Sequence, residues 1–244
     1  MSLLNAKQKQ VYDILLTPIC CDKKYNKISK KRGTVLSGQK YYSNADEDMS
    51  DFAVGFYEII YKNILKENVL DTEGHLYFEE FAGDTMNSFQ SIANITPDAG
   101  NTKNNRTDYK EWPSYLQYYH DNYHCLANFW LIPMKLGRRS MKLNKFDSLD
   151  LFLDALEEDY DGEISCYEEY RNSISTFESF CEIHFVGPGR ERSVILNSYK
   201  SDKKEGQKIV GYAMDDIKNR AYRMATSNHS NGLWEYFNYN NLLK

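Results

Sequence analysis

Apolar side chains recur every three or four positions in several segments of this chain, which is the spacing of one helix face. The clearest case is 147–159, where Leu149, Phe152, Leu153 and Leu156 lie at positions i, i+3, i+4 and i+7. The same period follows Ser50, a favourable N-cap residue, and predicts a helix to about residue 67. The pattern predicts further helices at 5–16, 165–181, 192–199, 206–226 and 231–243.

The segment 112–130 is rich in aromatic residues and also has helical spacing. We expect one helix here, whose apolar face carries Leu116, Tyr119, Tyr123, Ala127 and Trp130. His120 falls within this face, whereas His124 lies at its polar border beside Asn128.

One segment has the composition of a strand. Residues 75–81 (HLYFEEF) are aromatic and apolar, and we expect Gly83 and Asp84 to end this strand and to cap a short helix from Thr85 to about Ala93. The predicted fold is therefore mainly α, or α+β with a minor short sheet. We expect a single domain over 1–244 with a basic connector at 22–48 and a long polar loop at 94–111.

Composition narrows the class of protein. Among 244 residues, 41% are hydrophobic and 27% are charged, which is ordinary for a globular protein and excludes a disordered chain. The net charge of −5 argues against nucleic-acid binding by the whole surface. Five cysteines without a CxxC pair indicate reduced thiols rather than a disulfide framework or a zinc site. With no apolar run of membrane-spanning length and no signal-peptide pattern, we expect a cytoplasmic protein that does not contact membranes.

His120 and His124 are four positions apart, a spacing that lets two imidazoles share one metal ion on a helix. Asp121 takes the place of the glutamate in the HExxH motif of metalloproteases. A third ligand would have to come from a distant position, for which the candidates are His75, Glu79, Glu80 and His184. In the alternative interpretation, both histidines pack among tyrosines and form hydrogen bonds with hydroxyl or carbonyl groups. The helical wheel favours His124 as the functional candidate of the two.

Two blocks, FAGDTMNSF at 81–89 and YHCLANFWLIPM at 123–134, resemble a pattern found in a family of uncharacterised bacterial proteins of unknown function. The resemblance extends to the helix at 149–156 and implies no activity. It implies that Gly83, Asp84, Asn87, His124 and Asn128 belong to one structural signature.

A ligand pocket is the sharper hypothesis for this signature, with the polar cluster Asp84, Thr85, Asn87, His124 and Asn128 as ligand-binding residues. Asp84 and His124 are then also candidates for a catalytic role. In the simpler alternative, Asp84 caps a helix and Asn128 bonds to the backbone.

An acidic segment at 157–168 (EEDYDGEISCYE) has the register of a calcium-binding EF-hand loop. Glu157, Asp159, Asp161 and Glu168 stand at positions 1, 3, 5 and 12, and Gly162 stands at the turn position 6. Position 1 is normally aspartate, and no second copy is present to pair with this loop. A solvated acidic turn between two helices explains the same residues.

Six basic residues surround Tyr25 in the connector and could contact phosphates: Lys23, Lys24, Lys27, Lys30, Lys31 and Arg32. A solvated basic loop is the alternative to this nucleic-acid-binding arm.

Arg223 and His229 have the R-x5-H spacing that resembles the catalytic motif of the HEPN ribonucleases, all-α bacterial defence enzymes. The resemblance implies His229 as acid or base and Arg223 as a stabiliser of phosphate charge. The alternative is a cationic helix end that interacts favourably with the helix dipole.

These patterns leave two functional hypotheses. The first is a binding or regulatory protein that acts through a macromolecular partner or a small ligand, in bacterial or phage defence or counter-defence. The second is a phosphodiester hydrolase, either metal-dependent through His120 and His124 or HEPN-like through Arg223 and His229. No cofactor follows from the sequence.

Overall fold

The computed structural model describes residues 3–20, 36–37, 47–62, 81–95, 109–133, 149–161, 176–187 and 206–243. These ranges contain the helices α1 (Ala6–Leu15), α2 (Asp51–Ile60), α3 (Phe89–Ile95), α4 (Ser114–Asn122), α5 (Leu149–Asp161), α6 (Phe177–Ile183), α7 (Gly206–Thr226) and α8 (Ser230–Tyr239). Three short 3₁₀ turns lie at Glu47–Met49, Tyr109–Glu111 and Leu126–Asn128. None of the helices in these ranges is long and apolar enough to cross a membrane.

Two small sheets complete the described part of the chain. The strands β1 (Ile19–Cys20) and β2 (Leu36–Ser37) pair in parallel. The strands β3 (Phe81–Thr85) and β4 (Phe129–Pro133) are antiparallel, with Phe81 opposite Pro133 and Thr85 opposite Phe129. The mainly helical fold with a minor sheet is therefore confirmed, whereas the single-domain boundary stays a prediction.

Helix α7 organises the larger of two apolar cores. It packs against α1, α3, α4, α8 and the 3₁₀ turn Leu126–Asn128, and its buried face includes Ile209, Ala213, Ile217 and Met224. The smaller core joins α5 and α6 to β4, and the predicted stripe Leu149, Phe152, Leu153 and Leu156 lies inside it. Ile183 at the end of α6 packs against both cores.

Helix ends differ more from prediction than helix positions do. The N-caps of α1 and α2 behave as their residue types suggest: Asn5 forms a capping box with Gln8, and the Ser50 side chain accepts from the amide of Ala53. The prediction that α2 continues to residue 67 is wrong, because the helix ends at Ile60. Tyr61 leaves the helix, and its side chain is only 1% exposed.

The prediction of one helix over 112–130 is wrong. Helix α4 ends at Asn122, whose side-chain amide donates to the carbonyl of Tyr118 at 2.7 Å. Phe129 then begins β4, which pairs with β3 along its whole length. A strand buried on both faces has a continuous apolar sequence, and such a run has no period that separates it from a helix.

Gly83 and Asp84 do not break a strand. Both lie inside β3, opposite Leu131 and Trp130, and the following helix begins at Phe89 rather than at Thr85. Asp84 is therefore not a helix cap, and its carboxylate accepts from the amide of Thr85 at 2.8 Å. Of the predicted strand 75–81, all but Phe81 lies outside the described residues.

Helices α2 and α8 approach closely at Gly55. A Cβ atom at this position would lie 2.5 Å from the hydroxyl of Tyr236 and 2.8 Å from its ring. That ring stacks on Phe52 at 5.4 Å, and its hydroxyl donates to the carbonyl of Phe52 at 2.9 Å. We expect Gly55→Ala to lower the free energy of unfolding by about 1–3 kcal/mol, because overpacking outweighs the gain in helix propensity.

Gly211 provides the matched control, since it is an exposed position of α7 with nothing within 4 Å of an added Cβ. Gly211→Ala should raise the free energy of unfolding by about 0.5–1 kcal/mol. Urea unfolding of both variants measures the change in the free energy of unfolding, which we expect to be negative for Gly55→Ala and positive for Gly211→Ala. Stabilisation by both substitutions would contradict the close approach at Gly55.

Candidate functional site

A cavity of about 540 Å³ lies between the beginning of α5, the turn after α6 and one face of α7. Among the described residues, its walls are formed by Leu149, Asp150, Leu153, Phe185, Val186, Gly187, Asp216, Asn219, Arg220, Tyr222 and Arg223. Ligand pockets in proteins commonly have volumes of about 300–1,000 Å³. The cavity therefore has the size of a binding site for a small organic molecule.

Helix α7 supplies the polar wall of the cavity. Asp216, Asn219, Arg220 and Arg223 follow at i, i+3, i+4 and i+7 and therefore lie on one face of the helix. Asp216 is 7% exposed and Arg220 is 1% exposed, while Asp150 on the opposite wall is fully buried. Ionised side chains this far from water are stable only where the protein supplies compensating dipoles or charges.

The Arg220 guanidinium obtains this compensation from several segments of the chain. Its Nε donates to the carbonyl of His184 at 2.7 Å, and its Nη1 donates to the carbonyls of Ala127 at 3.0 Å and Phe129 at 2.6 Å. Its Nη2 donates to the hydroxyl of Tyr61 at 3.1 Å. Burial lowers the pKa of Arg220 and the nearby tyrosine hydroxyls raise it, but an arginine remains charged at neutral pH.

Tyr61 and His184 extend this network. Burial lowers the pKa of His184 well below its usual value, and the positive charge of Arg220 lowers it further, so the imidazole is neutral at pH 7. The hydroxyl of Tyr61 accepts from Arg220 and lies 2.9 Å from Nδ1 of His184. The hydroxyl proton is therefore donated to Nδ1, which places the imidazole proton of His184 on Nε2.

Asn87 fixes the two charged walls relative to each other. Its side-chain oxygen accepts from the amide of Leu149 at 2.8 Å, and its side-chain nitrogen donates to the carboxylate of Asp216 at 3.2 Å. Its backbone exchanges hydrogen bonds with the side chain of Asn128 at 3.1 and 2.9 Å, and its carbonyl also accepts from Tyr119. Asn87 and Asn128 are both fully buried, and they join the 3₁₀ turn Leu126–Asn128 to the beginning of α5 and to α7.

The turn after α6 closes the cavity through a strained residue. The amides of Phe185 and Val186 bond back to the carbonyls of Glu182 and Cys181, which is the Schellman pattern of a helix end. That pattern needs a left-handed residue, usually glycine, but here Phe185 holds this conformation with φ of 58°. A left-handed conformation costs about 1–2 kcal/mol for a residue with a side chain.

Gly187 lies against the end of the Arg223 side chain. A Cβ on Gly187 would be 3.2 Å from Nη2 of Arg223. Arg223 is exposed, and its guanidinium forms no hydrogen bond or ion pair with residues that the structure describes. The rim of the cavity thus carries an arginine whose donors are not used by the described fold.

The predicted pocket of Asp84, Thr85, Asn87, His124 and Asn128 forms only in part. The structure brings Asn87 and Asn128 together, but their side chains bond to buried protein groups. Thr85 is buried in β3, and the ring of His124 lies against Tyr123 and Phe129 at 4.1 and 5.7 Å. Among the described wall residues of the cavity, none belongs to this predicted set.

His120 and His124 occupy different surroundings. The ring of His120 lies among Phe89, Tyr109, Trp112 and Tyr123, and its Nδ1 is 3.4 Å from a carboxylate oxygen of Asp121. His124 lies beyond the end of α4, with its Nδ1 3.4 Å from a carboxylate oxygen of Glu47.

The third ligand proposed for this pair, His184, belongs to the Arg220 network instead. His75, Glu79 and Glu80 fall outside the described ranges. Within those ranges, no group of three histidine, cysteine, aspartate or glutamate residues could hold a metal ion.

The acidic segment begins as a helix rather than as a loop. Glu157, Asp159 and Asp161 all lie in α5, whereas an EF-hand needs loop backbone at these positions. Gly162 and Glu168 lie outside the described residues, as do Lys23, Lys24, Lys27, Lys30, Lys31 and Arg32 of the basic arm.

The structure places both residues of the R-x5-H pair beside the turn after α6. Arg223 approaches Gly187, and the ring of His229 meets Phe185 edge-on at 5.8 Å. His229 lies outside α7, at the N-cap position of α8.

Sequence reasoning missed Asp150, Asp216, Asn219 and Arg220 as a site. One signal was present: a polar stripe at i, i+3, i+4 and i+7 in a helix that is otherwise rich in apolar residues. Asp150 and Gly187 carry no such signal, because they reach the cavity through the packing of separate elements.

Comparison of the chain with protein-family models, curated proteins and solved structures finds no match. The functional interpretation therefore depends on the geometry of the cavity and its walls.

Removal of the Arg220 guanidinium should lower the denaturant concentration at which half of the protein is unfolded. Arg220→Met leaves the carbonyls of Ala127, Phe129 and His184 buried without this donor, and we expect a loss of about 3–5 kcal/mol in the free energy of unfolding. Tyr61→Phe removes one hydroxyl from the same network and should cost about 1–2 kcal/mol.

Lys218→Met is the control for this series, because Lys218 lies on the same helix and is 3.9 Å from Asp215 in a half-exposed pair. It should change the free energy of unfolding by less than about 0.5 kcal/mol. A loss of the same size for Arg220→Met and Lys218→Met would show that the buried network does not stabilise the fold.

Proposed function

We propose that this protein binds a small polar ligand in the cavity between α5, the turn after α6 and α7. The observation that carries the proposal is a cavity of about 540 Å³ whose walls combine Asp150, Asp216, Arg220 and Arg223. A cavity with apolar walls and a few convergent charged groups is typical of ligand-binding sites.

Two charged groups of the cavity, Asp216 and Arg220, are held in place before any ligand arrives. Asn87 bonds to both Leu149 and Asp216, and the backbone carbonyls around Arg220 fix the position of its guanidinium. Side chains whose rotamers are already fixed lose little entropy on binding, and this supports a binding role.

The described walls favour binding over covalent catalysis. They contain no cysteine, serine, threonine, lysine or histidine, which are common nucleophiles and neutral-pH bases, and their carboxyl groups at Asp150 and Asp216 are buried. Cys125 lies outside these walls, and burial raises the pKa of its thiol to about 12, so it is not a thiolate at neutral pH.

Obstruction of the cavity from its exposed side tests this function. Asn219 lines the cavity but is solvent-exposed, so Asn219→Trp should fill the entrance without disturbing either core. Thermal unfolding would be followed with a panel of nucleotides, sugar phosphates, amino acids and organic acids at millimolar concentration. We expect one class to raise the Tm of the unmodified protein by about 5–10 °C when it is present at about 100 times its Kd, and to lose this effect in Asn219→Trp.

Lys218→Trp is the matched control, because Lys218 is adjacent on α7 but is not among the cavity-lining residues. It should respond to the ligand as the unmodified protein does. If no compound raises the Tm, or if Asn219→Trp responds as fully as Lys218→Trp, the binding function is refuted.

A phosphodiester hydrolase is the second candidate. It is favoured by one observation, the convergence of Arg223 and His229 on the turn at 185–187. In this reaction His229 would transfer a proton and Arg223 would stabilise phosphate charge.

Incubation of labelled single-stranded RNA with the full chain tests the hydrolase. This candidate requires cleavage that falls by at least about a hundredfold in both Arg223→Ala and His229→Ala. Our primary proposal expects no cleavage above that of a buffer control. Cleavage that survives both substitutions would exclude this pair as the catalytic residues.

A further inference from the structure

We propose that the ligand of this cavity is a ribonucleoside monophosphate, an assignment that rests on the proposed binding function. The phosphate would bind to Arg223 at the rim, the ribose hydroxyls would donate to Asp216, and the base would pack on the apolar wall formed with Phe185. Each part follows from a different feature of the walls.

Arg223 supplies the site for the anionic group. Its guanidinium lies at the rim beside Gly187 and is not engaged by the described residues, so its donors can bind an oxyanion in the bidentate geometry of arginine–phosphate pairs. Arg220 lies one turn away on the same face of α7 and adds positive charge from a low-dielectric environment. Its own donors are largely taken by carbonyl groups, which makes it a supporting charge.

Asp150 and Asp216 restrict which oxyanions fit. Two buried carboxyl groups in the walls present acceptor oxygens, which a ligand that carries only acceptor atoms would leave without donors. They favour a ligand that also presents hydroxyl or ammonium donors. Carboxylates commonly accept from ribose hydroxyls in nucleotide sites.

The distance between the carboxyl group of Asp216 and the guanidinium of Arg223 favours a nucleotide over an α-amino acid. Asp216 and Arg223 are two helical turns apart, about 10 Å along the axis of α7. The carboxylate and ammonium of an α-amino acid share one carbon atom, whereas the phosphate and ribose hydroxyls of a nucleotide are separated by several bonds. A ligand with separated groups is therefore better matched to this face.

The apolar wall suits a planar base. Leu149, Leu153 and Val186 are buried around the cavity, and Phe185 is half-buried beside them. Phe185 stays in a left-handed conformation where glycine would be unstrained. Strain of this kind persists at binding sites when the side chain is needed there, and an aromatic side chain offers a stacking surface for a base.

The test uses isothermal titration calorimetry on the full chain with the four ribonucleoside monophosphates. The matching nucleoside, ribose 5-phosphate and the matching 2′-deoxynucleotide lack the phosphate, the base and one hydroxyl of the best-binding nucleotide, respectively. We expect each of these analogues to bind at least about tenfold more weakly than that nucleotide. Equal affinity for ribose 5-phosphate would overturn the base contact, and equal affinity for the nucleoside would overturn the phosphate contact.

Variants locate the phosphate within the cavity. Arg223→Gln should weaken nucleotide binding by about ten- to a hundredfold, whereas Lys218→Gln removes the same charge from another face of α7 and should leave binding unchanged. Gly187→Ala should weaken binding with little effect on folding, because its Cβ would displace only the flexible end of Arg223. An unchanged affinity in Arg223→Gln would overturn the assignment.

Failure of this inference is distinguishable from failure of the binding function. If nucleotides do not bind but another class of compound stabilises the protein and not Asn219→Trp, the cavity is a binding site and the nucleotide assignment is wrong. If no compound binds, both proposals fall together.

Discussion

The fold depends on one buried arginine. Arg220 places a permanent charge between the two apolar cores, and such a charge is stable only if several acceptors converge on it. The acceptors come from the 3₁₀ turn Leu126–Asn128, from Phe129 in β4, from the end of α6 at His184 and from Tyr61 after α2. Because a guanidinium is planar and its donors point in fixed directions, these segments have little freedom of arrangement around α7.

The cavity is a consequence of that arrangement. The hydrogen bond from Arg220 to the carbonyl of His184 brings the end of α6 against α7, and the chain must then turn away at once. Phe185 makes this turn in a left-handed conformation, and Gly187 follows where a larger residue would meet Arg223. Asn87 holds the beginning of α5 on the other side. The contact of Arg220 with His184 therefore positions one wall of the cavity, and the contact of Asn87 with Leu149 positions the other.

Sequence periodicity correctly predicted the helices that bury one face and expose the other. The stripe from Leu149 to Leu156 and the bounds of α7 follow from a helix with one apolar face, and both agree with the structure. Periodicity predicted the wrong element at Phe129–Pro133, because the consecutive side chains of Phe129, Trp130 and Leu131 are all buried and leave no alternation to detect. The ends of helices were also misplaced, since Tyr61 leaves α2 to reach Arg220, which is 159 positions away.

Long-range pairing also explains why the candidate site was not found from the sequence. Asn87 and Asn128 were grouped in one predicted set, but 41 positions separate them, and Leu149 and Asp216, the other partners of Asn87, are 62 and 129 positions away from it. The residues next to them in sequence do not indicate that these side-chain amides bond to protein groups rather than to a ligand. Asp150 and Arg223 approach the same cavity from separate helices, so no short motif contains both.

Two arginines on one helix differ in how the protein uses their hydrogen-bond donors. Arg220 and Arg223 share a face of α7, yet the first is 1% exposed and donates to four protein oxygens within 3.1 Å, whereas the second is exposed and donates to none of the described residues. A donor already bonded to the protein must give up that bond before it can bind a ligand, and the exchange gains little. Arg223 has no such bond to the described residues, so more of the free energy of a new hydrogen bond would contribute to binding. In the proposed binding site, Arg223 would therefore contact the ligand, and the buried Arg220 would hold the surrounding segments in place.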